Sequence, residues 1–370
     1  MPSRGRSQFL LATNRGSVLV VSLWMISIIG AFAISAGYQA RQKAGFADRI
    51  DSRNWLDGLA EVGIYKGISA IKQKKETELE YHSLNNTLTN HQSSFKDRSS
   101  GQGSYSVFYE YTDPDDGSIK IRYGLQDEEQ KININVAKPE IISRLLQMIG
   151  GVEEDDANEI AYSIVDWRDE NSATSHPDFG AEDDYYEDLD TPYQSKDFSF
   201  ESMDELLLVR GMTPELFEKM KPYTTIFGNG MVNINTAPKQ ILLVLGMSES
   251  LADHVIAFRA GVDREEGTED DRIFMNLTGI ADQLNQVSSI GSGDISLISQ
   301  LASENLINVM STFFMIRSRG EVRQKKQFLD IVAVADLEGK IYYWQSTGIP
   351  KRMRATETKR ADVVLRSGEV

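Results

Sequence analysis

Residues 15–43 of this 370-residue chain read RGSVLVVSLWMISIIGAFAISAGYQARQK. Within them, Ser17 to Ala40 is a run of 24 residues without a charge, most of them valine, leucine, isoleucine or alanine. A helix of about 20 apolar residues spans a bilayer, and the preceding residues 1–16 hold three arginines and no acid. Because positively charged flanks stay in the cytoplasm, the sequence predicts a membrane anchor over 17–40 and a translocated remainder.

A cleaved secretory signal is the alternative explanation of the same run. Ala31-Phe32-Ala33 has the small-x-small pattern of a signal peptidase site. The apolar core of a secretory signal is about 7–15 residues long, and this run is longer. The length therefore favours an anchor that is retained.

The junction before the anchor has a pattern of its own. The basic leader ends at Arg15 and Gly16, and Ser-Val-Leu-Val-Val follows at once, which resembles a type IV prepilin leader. The resemblance implies that a prepilin peptidase cuts after Gly16 at the inner membrane and methylates Ser17. Most members of that family carry glutamate at the fifth mature residue, where it pairs with a neighbouring N-terminal ammonium. Here that residue is Val21, so the subunit would fit best at the filament tip.

Beyond the anchor, the chain alternates between helical and extended patterns. Apolar residues recur at three- to six-residue steps over 41–75, which predicts an amphipathic stem helix. Residues 76–104 are polar and predict a loop. The segments 104–111 and 119–125 have strand composition and flank a turn, so they predict a hairpin. The turn, 113–117, loosely resembles a calcium loop but lacks the distal glutamate of an EF-hand, which favours a plain turn.

An internal repeat follows, with an offset of 100 residues. Ile132-Asn-Ile-Asn-Val-Ala-Lys-Pro matches Val232-Asn-Ile-Asn-Thr-Ala-Pro-Lys, and each copy runs into a leucine-rich segment and a glycine. We expect an extended segment, a helix, a glycine turn and a second helix in each copy. Asn135 and Asn235 suit the N-caps of the first helices. The second helices are predicted at Asp155–Trp167 and Glu249–Arg259.

A third helix pair is predicted over Ser202–Met220. These units resemble helix-hairpin-helix modules, where a glycine turn exposes backbone N–H groups to phosphate. A membrane-anchored nucleic-acid-binding protein is therefore the alternative function. Charge opposes it, because the consecutive acids Glu153–Asp156 crowd the place where phosphate would lie. Small helical packing modules are the favoured interpretation, and no nucleic-acid partner is expected.

Composition excludes several classes of site. The chain has 39 Lys+Arg against 55 Asp+Glu, for a charge of −16, which opposes general nucleic-acid binding. It has 0 Cys, which excludes disulfides, thiolate zinc sites and cysteine nucleophiles. No Ser-His-Asp motif, P-loop or GxGxxG is present, and nothing beyond paired carboxylates suggests a glycoside hydrolase. We predict a protein that is not an enzyme.

Most of the negative charge lies in one segment, 152–190, with fifteen acids and a single base, Arg168. Calcium takes six to eight oxygen ligands, and two acid clusters separated by a short loop could supply them. The alternative is a disordered, solvated acidic loop, although the interleaved aromatic residues are unusual for disorder. The residues alone leave both interpretations open. The candidate calcium ligands are Asp166, Asp169, Glu182, Asp183 and Asp184.

Taken together, these motifs resemble the minor pseudopilin K family of bacterial type II secretion systems. The motifs are the leader, Ile-Val-Asp-Trp-Arg-Asp at 164–169, Gly-Ala-Glu-Asp-Asp-Tyr-Tyr at 180–186, Glu-Leu-Leu-Leu-Val-Arg-Gly-Met at 205–212 and Val-Asn-Ile-Asn-Thr-Ala-Pro at 232–238. The resemblance implies an α+β protein, namely a pilin-like antiparallel sheet interrupted by a large helical insert. It also implies bound Ca²⁺ and a pseudopilus tip complex with minor pseudopilins of the I and J types. A minor pilin of a related type IV pilus is a further alternative.

The same resemblance implies the domain boundaries. We expect a leader at 1–16, a single-pass inner-membrane anchor at 17–40, and the stem helix with the first strands at 41–134. The helical insert with its acidic loop would occupy 135–305. Strands at 306–349 would return to the sheet in the periplasm, with segments predicted at Leu306–Ser318, Gln327–Asp336 and Lys340–Ser346. A charged tail would occupy 350–370.

Overall fold

The computed structural model describes residues 15–77, 82–84, 88–112, 117–322, 327–348 and 351–352. Most of the leader, part of the 113–117 turn and the tail from 353 therefore lie outside the described residues. Chain contacts divide the protein into two units, Met1–Trp55 and Leu56–Val370.

The first unit is helical throughout its described part. Helix α1 begins in it and runs over Arg15–Thr77. The apolar side chains of Val18, Trp24 and Phe32 are 71%, 67% and 73% exposed. Within the described residues, one helical stretch, Val18–Lys74, is long and apolar enough to cross a membrane. Exposed apolar side chains over such a length are typical of a membrane-spanning helix.

The second unit contains an antiparallel sheet built from both ends of its sequence. In space the order of its main strands is β1-β2-β10-β11-β12, with β5 added beside β10 and β13 beside β11. A separate hairpin pairs β3 with β4. The strands are β1 (Arg98–Ser100), β2 (Gly103–Val107), β3 (Tyr109–Thr112), β4 (Ile119–Arg122), β5 (Gln126–Asp127), β10 (Phe313–Val322), β11 (Gln327–Asp336), β12 (Ile341–Ser346) and β13 (Lys351–Arg352).

The part of α1 within the second unit packs on this sheet. Leu56, Ile64 and Ile71 are fully buried in one apolar cluster with Phe314 and Ile316 of β10. Burying each such side chain contributes about 1.5–3 kcal/mol. This part of α1 contains Gly58, Gly63 and Gly67, and the close neighbours of the last two explain the absence of a side chain at those positions. A Cβ on Gly63 would lie 2.0 Å from Ser318 Oγ, and one on Gly67 would lie 2.9 Å from an Ile316 methyl carbon.

The chain between β5 and β10 is mostly helical. Its helices are joined by two short parallel pairs, β6 with β7 and β8 with β9. Together with the sheet, these elements confirm the predicted α+β class. A short helix α2 (Gln92–Phe95) precedes the sheet. The elements between β5 and β10 are β6 (Ile132–Asn133), α3 (Pro139–Leu145), α4 (Glu154–Arg168), α5 (Asp183–Glu187), α6 (Pro214–Met220), β7 (Thr224–Thr225), β8 (Val232–Asn233), α7 (Lys239–Val244), α8 (Glu249–Arg259), α9 (Ile280–Val287), α10 (Ser292–Ser303) and β9 (Ile307–Asn308).

The internal repeat reappears in the side-chain contacts. The Asn135 amide exchanges two hydrogen bonds with the backbone of Phe200, at 3.0 and 2.7 Å. The Asn235 amide does the same with Phe274, at 3.0 and 2.9 Å. The prediction that these asparagines are N-caps is wrong, because α3 and α7 begin at Pro139 and Lys239. Instead, their side chains hydrogen-bond the backbone of loops that are distant in sequence, at Phe200 and Phe274.

Several predicted strands have different bounds. The segment predicted as one strand over 104–111 is divided between β2 and β3, which belong to different sheets. Residues 76–104 are not only loop, because they contain α2 and β1. Leu306–Ser318 is likewise two elements, a two-residue parallel strand and the start of β10. The chain changes direction between these pieces, and composition does not mark that change.

Candidate metal centre

Helix α4 carries the first candidate ligand into the protein. Glu154–Asp156 occupy its first turn, where carboxylates favour the positive end of the helix. At its last turn, the Arg168 guanidinium donates to the Ile134 carbonyl and, at 2.6 Å, to the Ala137 carbonyl. Burial lowers the Arg168 pKa to about 10. These bonds fix the end of α4 against the first repeat.

Asp166 closes the loop that follows α4. Its side chain is 0% exposed, and its two oxygens accept from the backbone N–H groups of Ser175 at 2.8 Å and Ala181 at 2.9 Å. Burial raises the Asp166 pKa despite these bonds. Gly180 has φ +102°, and a Cβ there would lie 2.1 Å from Asp166 Oδ2. Only glycine fits this position, so the loop is held closely around the carboxylate.

Glu182 has a buried carboxylate with no hydrogen-bond partner on either oxygen among the described residues. The side chain is 7% exposed. Burial is the main cause that raises the Glu182 pKa to about 7, and the nearby charges of Asp166, Asp169, Asp197 and Asp183 add to it. An unpaired buried carboxylate is unfavourable. Its surroundings therefore suit a bound proton or a bound cation.

The other predicted ligands are placed differently. Asp169 follows α4 directly, and its Oδ1 accepts from the Asn171 side chain at 2.6 Å. Asp183, in the first turn of α5, accepts from the Ser195 N–H and hydroxyl at 2.8 and 2.7 Å. Asp184 is exposed on the same helix. The structure therefore brings Asp166, Asp169 and Asp183 near Glu182, while Asp184 faces solvent.

Asp197 is a member of this cluster that the sequence patterns did not indicate. It lies outside both acidic motifs, and its charge acts on Glu182. Its Oδ1 accepts from the Ser195 hydroxyl at 2.8 Å. The residue has φ +50°, a conformation that aspartate adopts more readily than most residues. Its position beside a lysine, in a stretch without periodicity, gave no signal.

The donors of this cluster suit calcium by their chemistry, since carboxylate oxygens are its preferred ligands. Their arrangement is more open than a closed coordination shell. Within the described residues, no three carboxylate or imidazole side chains lie close enough together to hold a metal ion. Several of the oxygens are instead engaged by backbone N–H groups, as at Asp166. The unpartnered oxygens of Glu182 fit a cation.

Aromatic side chains form the wall behind the cluster. Trp167 and Tyr186 are buried and meet edge to face at 5.3 Å. Tyr193 stacks on Tyr186 at 5.2 Å. The Tyr186 hydroxyl accepts from the Arg210 N–H at 3.3 Å. The segment is thus packed into the protein, unlike a solvated acidic loop.

The predicted processing residues lie at the start of α1. Gly16 and Ser17 are helical in the backbone, and Arg15 is the first residue of the helix. Val21 is one turn further on and 55% exposed. The leader residues before Arg15 lie outside the described part of the chain.

Part of the sequence is similar to known secretion proteins. Residues 123–229 match the family model described as type II secretion system protein K. Over 99 residues the chain is 36% identical to type II secretion system protein K of Aeromonas hydrophila, covering 26% of this chain and 30% of that protein. Over 115 residues it is 32% identical to the same protein of Pectobacterium carotovorum subsp. carotovorum, covering 31% and 34%. The matches thus span about a third of these relatives.

The fold also matches a solved structure. The GspK-GspI-GspJ complex from the type 2 secretion system of enterotoxigenic Escherichia coli contains a chain that superposes with a TM-score of 0.59 at 18% identity, covering 83% of this chain and 99% of that one. At this identity the likeness concerns the fold. Residues 123–229, which contain α4, the acidic cluster and α6, are thus the part of the chain that matches the type II secretion system protein K family model.

Proposed function

We propose that this protein is a minor pseudopilin of a bacterial type II secretion system, located at the pseudopilus tip, where it helps to initiate assembly for protein export. The observation that carries the proposal is the protein K domain at 123–229, within a fold shared with a solved secretion complex. The exposed apolar part of α1 would anchor the chain in the inner membrane, with the second unit in the periplasm. The role is structural rather than catalytic.

We propose partners of the I and J types at the tip, named from the solved complex. Coexpression of the chain with both subunits from its own secretion system should yield a ternary complex on gel filtration. Val21 supports a place at the tip, because it offers no carboxylate to a neighbouring N-terminus. Failure of the chain to copurify with either subunit would contradict this assignment.

Prepilin processing is the direct test of the membrane end. We expect the mature protein, isolated from membranes, to begin at a methylated Ser17. Gly16→Ala should abolish the cleavage, whereas the matched leader variant Gly5→Ala should be processed normally. Mass spectrometry of the intact protein measures both. A Gly16→Ala chain that still begins at Ser17 would refute the hypothesis of cleavage by a prepilin peptidase.

We further propose that the acidic cluster binds Ca²⁺ through Glu182 together with Asp166, Asp169 and Asp183, with Asp197 as an additional donor. The unpartnered Glu182 oxygens support this. A bound ion would supply the positive charge that these carboxylates lack. Binding to the folded state alone stabilises a protein by about 2.7 kcal/mol at a hundred times the dissociation constant. Asp184 was predicted as a ligand and would join only if its side chain turned inward.

Thermal unfolding tests this proposal. The melting temperature should be higher in excess Ca²⁺ than in chelator, and Glu182→Gln should remove most of that difference. Asp188→Asn removes a charge from an exposed position on the same segment and should preserve the difference. Identical melting curves for the unmodified protein in Ca²⁺ and in chelator would rule out a structural calcium site.

A further inference from the structure

Two glycine turns of the helical region line one groove. The first is the turn after α3, which includes Gly150, and the second precedes α6 and includes Gly211. The groove has a volume of about 430 Å³. Its walls are one face of α4 and one face of α6. It is separate from the acidic cluster, because none of the proposed calcium ligands lines it.

The floor of the groove is apolar and depends on the glycines. Val152, Ile160 and Leu216 line it. A Cβ on Gly150 would lie 2.5 Å from Leu216 Cδ1, and one on Gly211 would lie 2.6 Å from Ile160 Cγ1. Because both turns lack a side chain at these positions, Leu216 and Ile160 can pack directly against the backbone of the turns. An aliphatic chain fits such a surface.

The rim of the groove is acidic. Asp156, Glu159 and Glu215 line it, against a single cation, Lys219. The Lys219 ammonium donates to the Gly150 carbonyl at 3.0 Å. Glu159 pairs with the Arg210 guanidinium at 2.7 Å.

Two carboxylates remain available for a ligand. Neither Asp156 nor Glu215 forms an ion pair or hydrogen bond through its side chain with the described residues, and both are exposed. They stand on opposite walls, Asp156 on α4 and Glu215 on α6. A phosphate group would be repelled here, whereas a cation on an aliphatic stem would meet complementary charge.

We propose that this groove binds a lysine or arginine side chain of a partner polypeptide. The stem of that side chain would lie on Ile160 and Leu216, and its charged end would lie between Asp156 and Glu215. The proposal rests on the groove alone and is independent of the secretion assignment.

Binding of a basic peptide tests it. The full-length chain in nanodiscs of zwitterionic lipid is titrated into a fluorescein-labelled peptide in which lysines alternate with alanines, with empty nanodiscs as the blank, and anisotropy is recorded. A peptide with norleucine in place of lysine tests the need for the charge. The double variant Asp156→Asn/Glu215→Gln should weaken binding about tenfold, as expected for two solvent-exposed ion pairs.

A matched variant separates the groove from the overall charge. Asp155→Asn/Glu218→Gln removes the same charges from the same two helices, at exposed residues that do not line the groove. It should bind the lysine peptide within twofold of the unmodified chain. Equal weakening by the two double variants would overturn the proposal. So would equal binding of the norleucine peptide, or binding of duplex DNA but not of the lysine peptide at the same salt concentration.

Discussion

Replacing Glu129 with glutamine measures how much a buried carboxylate destabilises the junction between sheet and helical region. Glu129 follows β5 and is 3% exposed. Its two oxygens accept from the N–H and hydroxyl of Thr312, at 2.6 and 2.9 Å. Asp127, also buried, lies nearby and accepts from Thr236 and Ser311 at 2.6 Å each. The chain thus leaves the sheet and returns to it through one buried acidic network.

The magnitude follows from the pKa. Burial and the charge of Asp127 raise the Glu129 pKa from 4.5 to about 7, against the effect of the Thr312 bonds. Each unit corresponds to about 1.4 kcal/mol, so ionised Glu129 lowers the free energy of unfolding by about 3 kcal/mol. Because the folded state holds this proton more tightly, stability rises as the pH falls through 7 and levels off below 4.5. Glutamine keeps an acceptor for Thr312 and removes the charge.

We expect Glu129→Gln to raise the free energy of unfolding by about 1–3 kcal/mol at pH 8.5, and to change it little below pH 4.5. Urea unfolding of the full-length chain, in chelator throughout, measures this. Because burial also raises the pKa values of Glu182 and Asp271, to about 7 and about 6, the informative quantity is the difference from the unmodified protein at each pH. Glu154→Gln, at an exposed position, is the control. A variant that is equally destabilised at both pH values would show that hydrogen bonding outweighs burial.

Two further substitutions test the local geometry by thermal or urea unfolding. Gly180→Ala places a Cβ 2.1 Å from Asp166 Oδ2 at φ +102° and should destabilise the protein by about 2 kcal/mol or more. The control Gly293→Ala, where a Cβ would have nothing within 4 Å, should change stability by about 1 kcal/mol or less. Similar effects of the two substitutions would refute the close packing at Gly180. Arg259→Met removes two bonds of 2.8 Å to the Ile234 and Ala237 carbonyls and the ion pair with Glu266, near which only the Arg122 charge then acts among the described residues, so a loss of about 3 kcal/mol is expected. Adding Glu266→Gln should recover part of that loss, and no recovery would show that the carbonyl bonds alone matter.

Periodicity and composition predict the regular parts of this fold. Helix α8 occupies Glu249–Arg259 and strand β11 occupies Gln327–Asp336, the predicted bounds. Helix α8 has one buried face with helical spacing, whereas β11 is a short, mostly apolar run that is buried on both faces. The stem helix was predictable for the same reason. The two-residue parallel pairs were not, since β8 pairs with β9 across more than seventy intervening residues and no local pattern encodes such a partner.

Charged residues were harder to place than apolar ones. Two candidate ligands from the acidic motifs, Asp166 and Glu182, are buried in the structure, while their role as calcium ligands stays a prediction. The sequence did not predict that Asp127 and Glu129 are buried, because aspartate and glutamate side chains are almost always exposed in proteins. Their burial depends on Thr236, Ser311 and Thr312, which are distant in sequence. Hydroxyl groups at that distance give no sequence signal for a buried acceptor.

The two repeats differ in how they neutralise charge, and this difference bears on the calcium proposal. In the second repeat Arg259 is paired with Glu266. In the first repeat Arg168 makes the corresponding carbonyl bonds but forms no ion pair with the described residues.

The acids that follow α4 gather around Glu182 instead, and its oxygens lack partners. Two copies of one scaffold would be expected to reach similar electrostatic balance, because an unpaired buried carboxylate is unfavourable in either. The second copy reaches that balance with its own residues. The first copy has an excess of carboxylates that its arginine does not neutralise, and either a proton on Glu182 or the proposed Ca²⁺ would reduce that negative charge.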